Sequence, residues 1–381
     1  MFAATIGMFA SMTLALGLLL AFTPYLMRRN ECFAVTVPAA AQTDPRIIAL
    51  KKRYATVMLA LTVAATVVSL VAGILIASGG EQAESASALA GSFAECAAIL
   101  VLIVVSFALM LRNRRTVMSL KRQEGWSAAR TQTAAVVAET DLPGALPLTW
   151  NLLYIPVILG TLALGLALYP HMPDMLPMHA DLNGTVTHYE PKSLGIVIGF
   201  PVLIEVFLAA CFTFCHWMML RSKRPTDPAA PATSALAYGL FARAQSVFLL
   251  IIGMLLGAGI GILFMLSSAG FIGLEQAGII IVVLCIPIVV GSIALSVVYG
   301  QAGSRVFKRM QGDVPLLADD DDEHWKLGLF YVNRDDASLF LPERFGIGWT
   351  MNFARPAAWA IIVGGVAVTT AFVVALVLIA G

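Results

Sequence analysis

Long apolar runs separated by short polar segments dominate this chain. Eight of them, residues 3–26, 54–77, 91–111, 148–169, 194–219, 241–267, 277–300 and 356–380, end in charge, proline or a Gly/Ser cluster. A helix rises ~1.5 Å per residue, so about 20 apolar residues cross a hydrocarbon core of ~30 Å. The pattern predicts an all-α polytopic membrane protein with about eight transmembrane helices. The first run is followed by Arg28 and Arg29, whereas a signal peptide carries its positive charge before a shorter core and ends at a small-residue cleavage site. It is expected to remain as the first span.

Lysine and arginine set the direction of insertion, because cytoplasmic loops retain them. Segments 27–53, 112–147, 220–243 and 301–355 hold 6, 6, 4 and 7 of them, which is 23 of the 24; the opposite side holds only Lys192. The expected placement is a bacterial cell membrane, crossed several times, with both termini outside. The chain is expected to divide into a three-span region with cytoplasmic loops (1–147), a two-span unit with a long outer loop (148–219), a second two-span unit (220–300), a cytoplasmic β-rich module (301–355) and a last span (356–381).

Two inner segments have folding signals of their own. Cys32 to Pro38 is an apolar, β-branched run of strand type, and Asp44-Pro45 is a helix cap with its first-turn proline. Leu327–Asn333 and Leu339–Pro342 are strand-like and follow the acidic run Asp319–Glu323. The first segment is expected to fold, and the two stretches of the last one predict a small cytoplasmic β-rich cap. The basic stretch Arg112–Arg130, with Trp126 among the charges, suits either a helix at headgroup level or a solvated loop.

Composition supports lipid as the solvent: 59% of residues are hydrophobic and 12% charged. The net charge of +1 argues neither for nor against nucleic acid, but no basic run is interleaved with aromatics as such a site requires, so no nucleic-acid partner is expected. Cys32, Cys96, Cys211, Cys215 and Cys285 are scattered, with no disulfide framework or zinc spacing. Phosphate-loop, HExxH and GxSxG motifs are absent, so soluble-type enzyme chemistry and cofactors have no support.

Candidate chemistry concentrates in the outer loop 170–192, which holds three of the five histidines. Asn183-Gly184 signals a type I′ turn, whose central positions need positive φ. A two-residue hairpin would set Leu182 opposite Thr185, Asp181 opposite Val186, Ala180 opposite Thr187 and His179 opposite His188. His179, His188 and Asp181 would then share one face. Such a cluster can bind a divalent metal, recognise a ligand or sense pH, and it is equally compatible with a plain solvated hairpin. Inside the membrane, Glu205 falls mid-span, where a charged group is costly and faces a bundle interior or a water cavity. It suits a proton or cation relay, or a protonated carboxyl bonded to a neighbouring helix. Glu95 lies nearer a span end and is expected to snorkel outward. Gly253, Gly257 and Gly261 recur at spacing four and permit close helix packing.

The string Pro177-Met178-His179-Ala180-Asp181-Leu182-Asn183-Gly184, with Lys192 following, resembles the Pro-x-His-x-(Asn/Asp)-x-x-Gly signature of domain of unknown function 1648, a bacterial membrane family that includes the SdpI-type immunity proteins. The tail strings Trp325–Asp336 and Arg344–Phe353 resemble a second module, domain of unknown function 5808. The first resemblance implies ligand-binding roles for Pro177, His179, Asp181, Gly184 and Lys192. It also implies outer-face sensing of, or immunity to, an extracellular peptide, with a cytoplasmic regulator as a further partner beside membrane lipid. A permease-like protein using Glu205 and Pro201, and a membrane enzyme holding a metal at His179, Asp181 and His188, are the alternative expectations.

Overall fold

The computed structural model describes residues 2–28, 30–78, 86–126, 142–180, 186–227, 230–311, 320–345 and 348–380. Eight of its helices are long and apolar enough to cross a membrane, and its sheets are small two-stranded hairpins. It is an all-α polytopic membrane protein. The chain separates into two compact units, one made of residues 1–144, 222–242 and 295–355, the other of residues 145–221, 243–294 and 356–381.

In the first unit α1 (Phe2–Leu26), α2 (Pro45–Ser78) and α3 (Ala86–Gln123) pack together. Asp44 caps α2 as expected, its Oδ1 accepting from the Arg46 N–H at 2.8 Å. The buried residues of α3 recur every three or four positions, from Ala88, Gly91 and Glu95 through Leu102, Ser106 and Met110 to Arg114, Val117 and Lys121. One face of a single helix is therefore apolar in its middle and ionic at its C-terminal end. Arg112–Gln123 continues α3 directly. A separate helix at headgroup level is thereby corrected for these residues, while residues 127–130 lie outside the described ones.

The run Cys32–Pro38 does not form one strand. β1 (Glu31–Cys32) and β2 (Val35–Thr36) fold back on each other through Phe33 and Ala34, both at positive φ (49° and 58°). Such backbone is uncommon outside glycine and persists where surroundings hold it. Both residues are fully buried, with the Phe33 ring edge-on to Tyr54 at 5.8 Å. The Ala34 carbonyl accepts from Arg114 and, at 3.0 Å, from Arg344.

Two more hairpins complete this cap: β5 (Trp325–Lys326) with β6 (Phe330–Tyr331), and β7 (Phe340–Pro342) with β8 (Trp349–Met351). Arg344 is its hub. The guanidinium pairs with Asp321 and Asp322, donates to Thr36 Oγ1 at 3.0 Å, and lies 4.9 Å over the Trp325 ring. Asp322 also accepts from the Thr36 N–H at 3.0 Å and from Lys121 Nζ of α3 at 2.6 Å. Asp320, Asp321 and Asp322 are thus the anionic half of a network that ties the hairpins to α3. Asn352, fully buried, bonds Asn333, Asp336 and Ala354 and closes the cap just before the last helix.

The second unit contains α4 (Tyr154–Leu168), the hairpin of β3 (Met175–Ala180) and β4 (Val186–Pro191), α5 (Phe200–Arg221), most of α6 (Pro231–Ser268) and α7 (Leu274–Val298), and α9 (Pro356–Ala380). The short helix α8 (Ser304–Gln311) belongs to the first unit. Gly195–Gly199 winds as a π-helix at the entrance to α5, a wider turn of a kind frequent at functional sites.

Candidate functional site

The β3–β4 hairpin is held at its base. Leu176 is fully buried and packs with Met172, Ile196, Val197 and Met265. Lys192 works as a staple: its N–H donates to the Asp174 carbonyl at 2.7 Å, its Nζ to the Met172 carbonyl at 2.8 Å, and its ammonium lies 5.3 Å from the Tyr169 ring centre. Pro177, opposite Tyr189, sits above this base.

His179 does face His188, but the rest of the register is one residue out of step with a two-residue turn. Ala180 pairs with Val186 instead of Thr187, and Pro177 with Tyr189. Met178 on β3 and Thr187 on β4 are the extra residues at the two register shifts. Bulges re-aim side chains, and here they send the imidazoles to different partners. His179 Nδ1 meets Thr187 Oγ1 at 2.7 Å, while His188 Nε2 meets Glu190 Oε1 at 2.7 Å. Among the described residues no group of three or more His, Cys, Asp or Glu side chains is arranged to hold a metal. Asp181, Asn183 and Gly184 lie outside the described residues. His179, His188 and Tyr189 are exposed, Tyr189 to 50%.

Glu205 lies in the same unit. Its side chain is 2% exposed, Oε1 accepts from Thr161 Oγ1 of α4 at 2.6 Å, and Oε2 is buried with no partner among the described residues. The glycine stripe of α6 makes the room. A methyl group on Gly261 would stand 2.0 Å from Glu205 Oε1, and one on Gly253 would stand 2.2 Å from the Tyr154 hydroxyl. Gly257 faces Val157 between them. The glycines therefore admit α4 along one face and a carboxyl at its end.

Two features had weak or no markers in the chain. His216 is buried, donating from Nε2 to the Leu146 carbonyl at 2.9 Å and accepting at Nδ1 from Asn151 at 3.0 Å. It locks the approach to α4 onto α5. Glu95 does not snorkel: it is 5% exposed and accepts from Thr13 Oγ1 at 2.8 Å. Thr13 and Ser69 gave no distinct signal, because Ser11, Thr62 and Thr66 lie in the same spans.

The similarities to known families fall on these elements. The hairpin signature and Lys192 lie inside one matched region, which stops one residue short of Glu205; Trp325–Asn333 precedes the other, which holds Asp336, Arg344 and Asn352. No curated protein and no solved structure matches the chain. This polytopic membrane protein is similar over residues 157–204 to the domain of unknown function DUF1648, and over residues 334–359 to the family of unknown function DUF5808.

Proposed function

We propose that the β3–β4 hairpin recognises an extracellular ligand of peptide type, and that the protein gives immunity to it or reports it to a cytoplasmic regulator through the hairpin cap. The reading rests on a single observation. The hairpin is anchored by Leu176 and Lys192, while His179, His188 and Tyr189 stand exposed above that anchor. A pre-organised base limits the entropy lost on binding. Imidazole and phenol groups offer a peptide both hydrogen bonds and apolar contact.

Cells making the protein are expected to survive a secreted-peptide fraction that kills cells carrying an empty vector. His179→Ala should lose that survival while keeping the wild-type proteolysis pattern, because an exposed side chain adds little to packing. Equal survival with and without the protein ends the immunity reading. Stoichiometric zinc that disappears in both His179→Ala and His188→Ala would favour a metal centre instead.

The basic-residue split supports placing this hairpin outside the cell and the cap inside. In a background with the native cysteines replaced by alanine, an impermeant maleimide should label Tyr189→Cys in intact cells and label Lys326→Cys only after lysis. The reverse pattern inverts the topology.

A second reading, proton- or cation-coupled transport, draws on the bare Oε2 of Glu205 in its glycine-cleared niche. Buried ionisable groups within spans commonly mark such paths.

A further inference from the structure

Glu95 stands in the other unit, on the buried stripe of α3 where α1 and α2 pack against it. Ser69 Oγ of α2 donates to Thr13 Oγ1 of α1 at 2.8 Å, and Thr13 Oγ1 donates to Glu95 Oε1 at 2.8 Å. Thr13 and Ser69 are fully buried. The second carboxyl oxygen, Oε2, is buried and has no partner among the described residues. Three helices thus supply one oxygen-bearing side chain each, and the hydroxyl donors run in one direction toward the carboxyl.

Among the described residues of α1, α2 and α3, no basic residue lies beside it. α1 carries no charged residue from Phe2 to Leu26, α2 none after Arg53, and α3 none between Glu95 and Arg112. Arg112 is 17 residues along α3, about 25 Å at the helical rise. Lys51, Lys52, Arg53 and Tyr54 on α2 are a similar distance from Ser69, Tyr25 closes the far end of α1, and the Ala34 carbonyl of the β1–β2 turn meets α3 at Arg114. Cys96 is exposed. A carboxylate out of water with no counter-charge costs several kcal/mol, which the Thr13 hydroxyl, itself bonded by Ser69, offsets only in part. What completes the site is a small positive charge delivered from water.

We propose that Glu95, Thr13 and Ser69 form a membrane-embedded site for a monovalent cation, either a proton or a sodium ion. Three side chains with a single carboxylate fall short of the oxygen ligands and charge that a divalent ion requires. A proton would sit on Oε2, and sodium would take the carboxylate with the two hydroxyl oxygens. The inference stands apart from peptide recognition. Glu205 shows the same device independently, with a threonine donor on one oxygen and the other oxygen bare.

The test is modification of the full-length protein in lipid bilayers by a hydrophobic carbodiimide, followed site by site by mass spectrometry. The reagent adds a carboxylic O–H across its N=C bond, so it reports the protonated form. Modification of Glu95 is expected to slow as pH rises. At fixed pH, sodium chloride slowing it relative to choline chloride identifies sodium as the occupant, and dependence on pH alone identifies the proton. Thr13→Val keeps the side chain's shape and removes the donor, and should change the sodium concentration or proton activity at half-protection about tenfold. Ser69→Ala provides a second variant if that one fails to insert. A rate indifferent to both pH and sodium, no modification at any pH, or half-protection unchanged in both variants would overturn the proposal.

Discussion

Arg344→Ala is expected to undo the hairpin cap, at a cost of about 3–5 kcal/mol, because it removes one partner from a buried ion-pair network and leaves the others uncompensated. The residue is 3% exposed and joins Asp321, Asp322, Thr36 and the Ala34 carbonyl. Without it, the positive-φ turn at Phe33-Ala34 loses one of the guanidinium groups that hold it. Thermal unfolding followed by tryptophan fluorescence should show the loss, since Trp325 lies under the guanidinium. Arg344→Lys should fall between, because an ammonium cannot span the same fork of acceptors. A melting curve unchanged in Arg344→Ala would mean that the network contributes nothing.

The same network makes the cap acid-sensitive. Burial pushes the Asp322 carboxyl up, but Arg344, Lys121 and the Thr36 N–H outweigh it and bring the group to about 2. Asp336 is also held at about 2, with Lys223 and Ser338 outweighing its burial. A carboxyl lower in the folded than in the unfolded state stabilises the fold above the ordinary value of about 4, and this contribution is lost as pH falls through about 2. Glu31 works in the opposite sense. Burial raises it against the pull of Arg28 and Arg344, so it favours the fold at low pH and that contribution fades as pH rises through its raised value. Acid loss of the cap therefore belongs to the two aspartates, and Asp322→Asn should flatten the acid limb of the stability profile between about pH 4 and 2.

The spans were legible because bilayer thickness turns directly into run length, and each apolar run falls on one of the eight spanning helices; their ends were not, since α2 starts at Pro45 rather than 54, α3 runs on to Gln123 rather than 111 and α6 starts at Pro231 rather than 241. The cap was legible only as strand-like composition. Nothing in Phe33-Ala34 announces a turn, since neither residue favours positive φ; Arg344 and Arg114 impose it from positions far along the chain. The hairpin signal at Asn183-Gly184 located β3 and β4 and paired His179 with His188. It could not reveal the register shifts at Met178 and Thr187. Glu95 was misplaced for a related reason. Distance from a span end suggests snorkelling, but a hydroxyl partner on another helix holds the carboxyl inside.

Glu205 offers the sharpest separation between a structural carboxyl and a working one. Glu205→Lys should prevent correct insertion, because an unpaired mid-span charge costs about 2.5–3.5 kcal/mol on insertion scales. Gly261 gives no room for the longer chain: a single methyl there already stands 2.0 Å from Glu205 Oε1 and 2.4 Å from Thr161 Oγ1. Gly261→Ala should accordingly cost about 1–3 kcal/mol by overpacking. Glu205→Gln, by contrast, keeps the volume and an oxygen that can accept from Thr161, so folding should be preserved. Its stability and yield can be compared with wild type by size-exclusion chromatography and thermal scanning. A carboxyl serving only to join α4 and α5 is replaced without consequence by that amide. A carboxyl that passes a proton or cation is not, because glutamine neither ionises nor releases a proton near neutral pH. Well-folded Glu205→Gln that retains full cation flux in proteoliposomes would remove Glu205 from the transport reading.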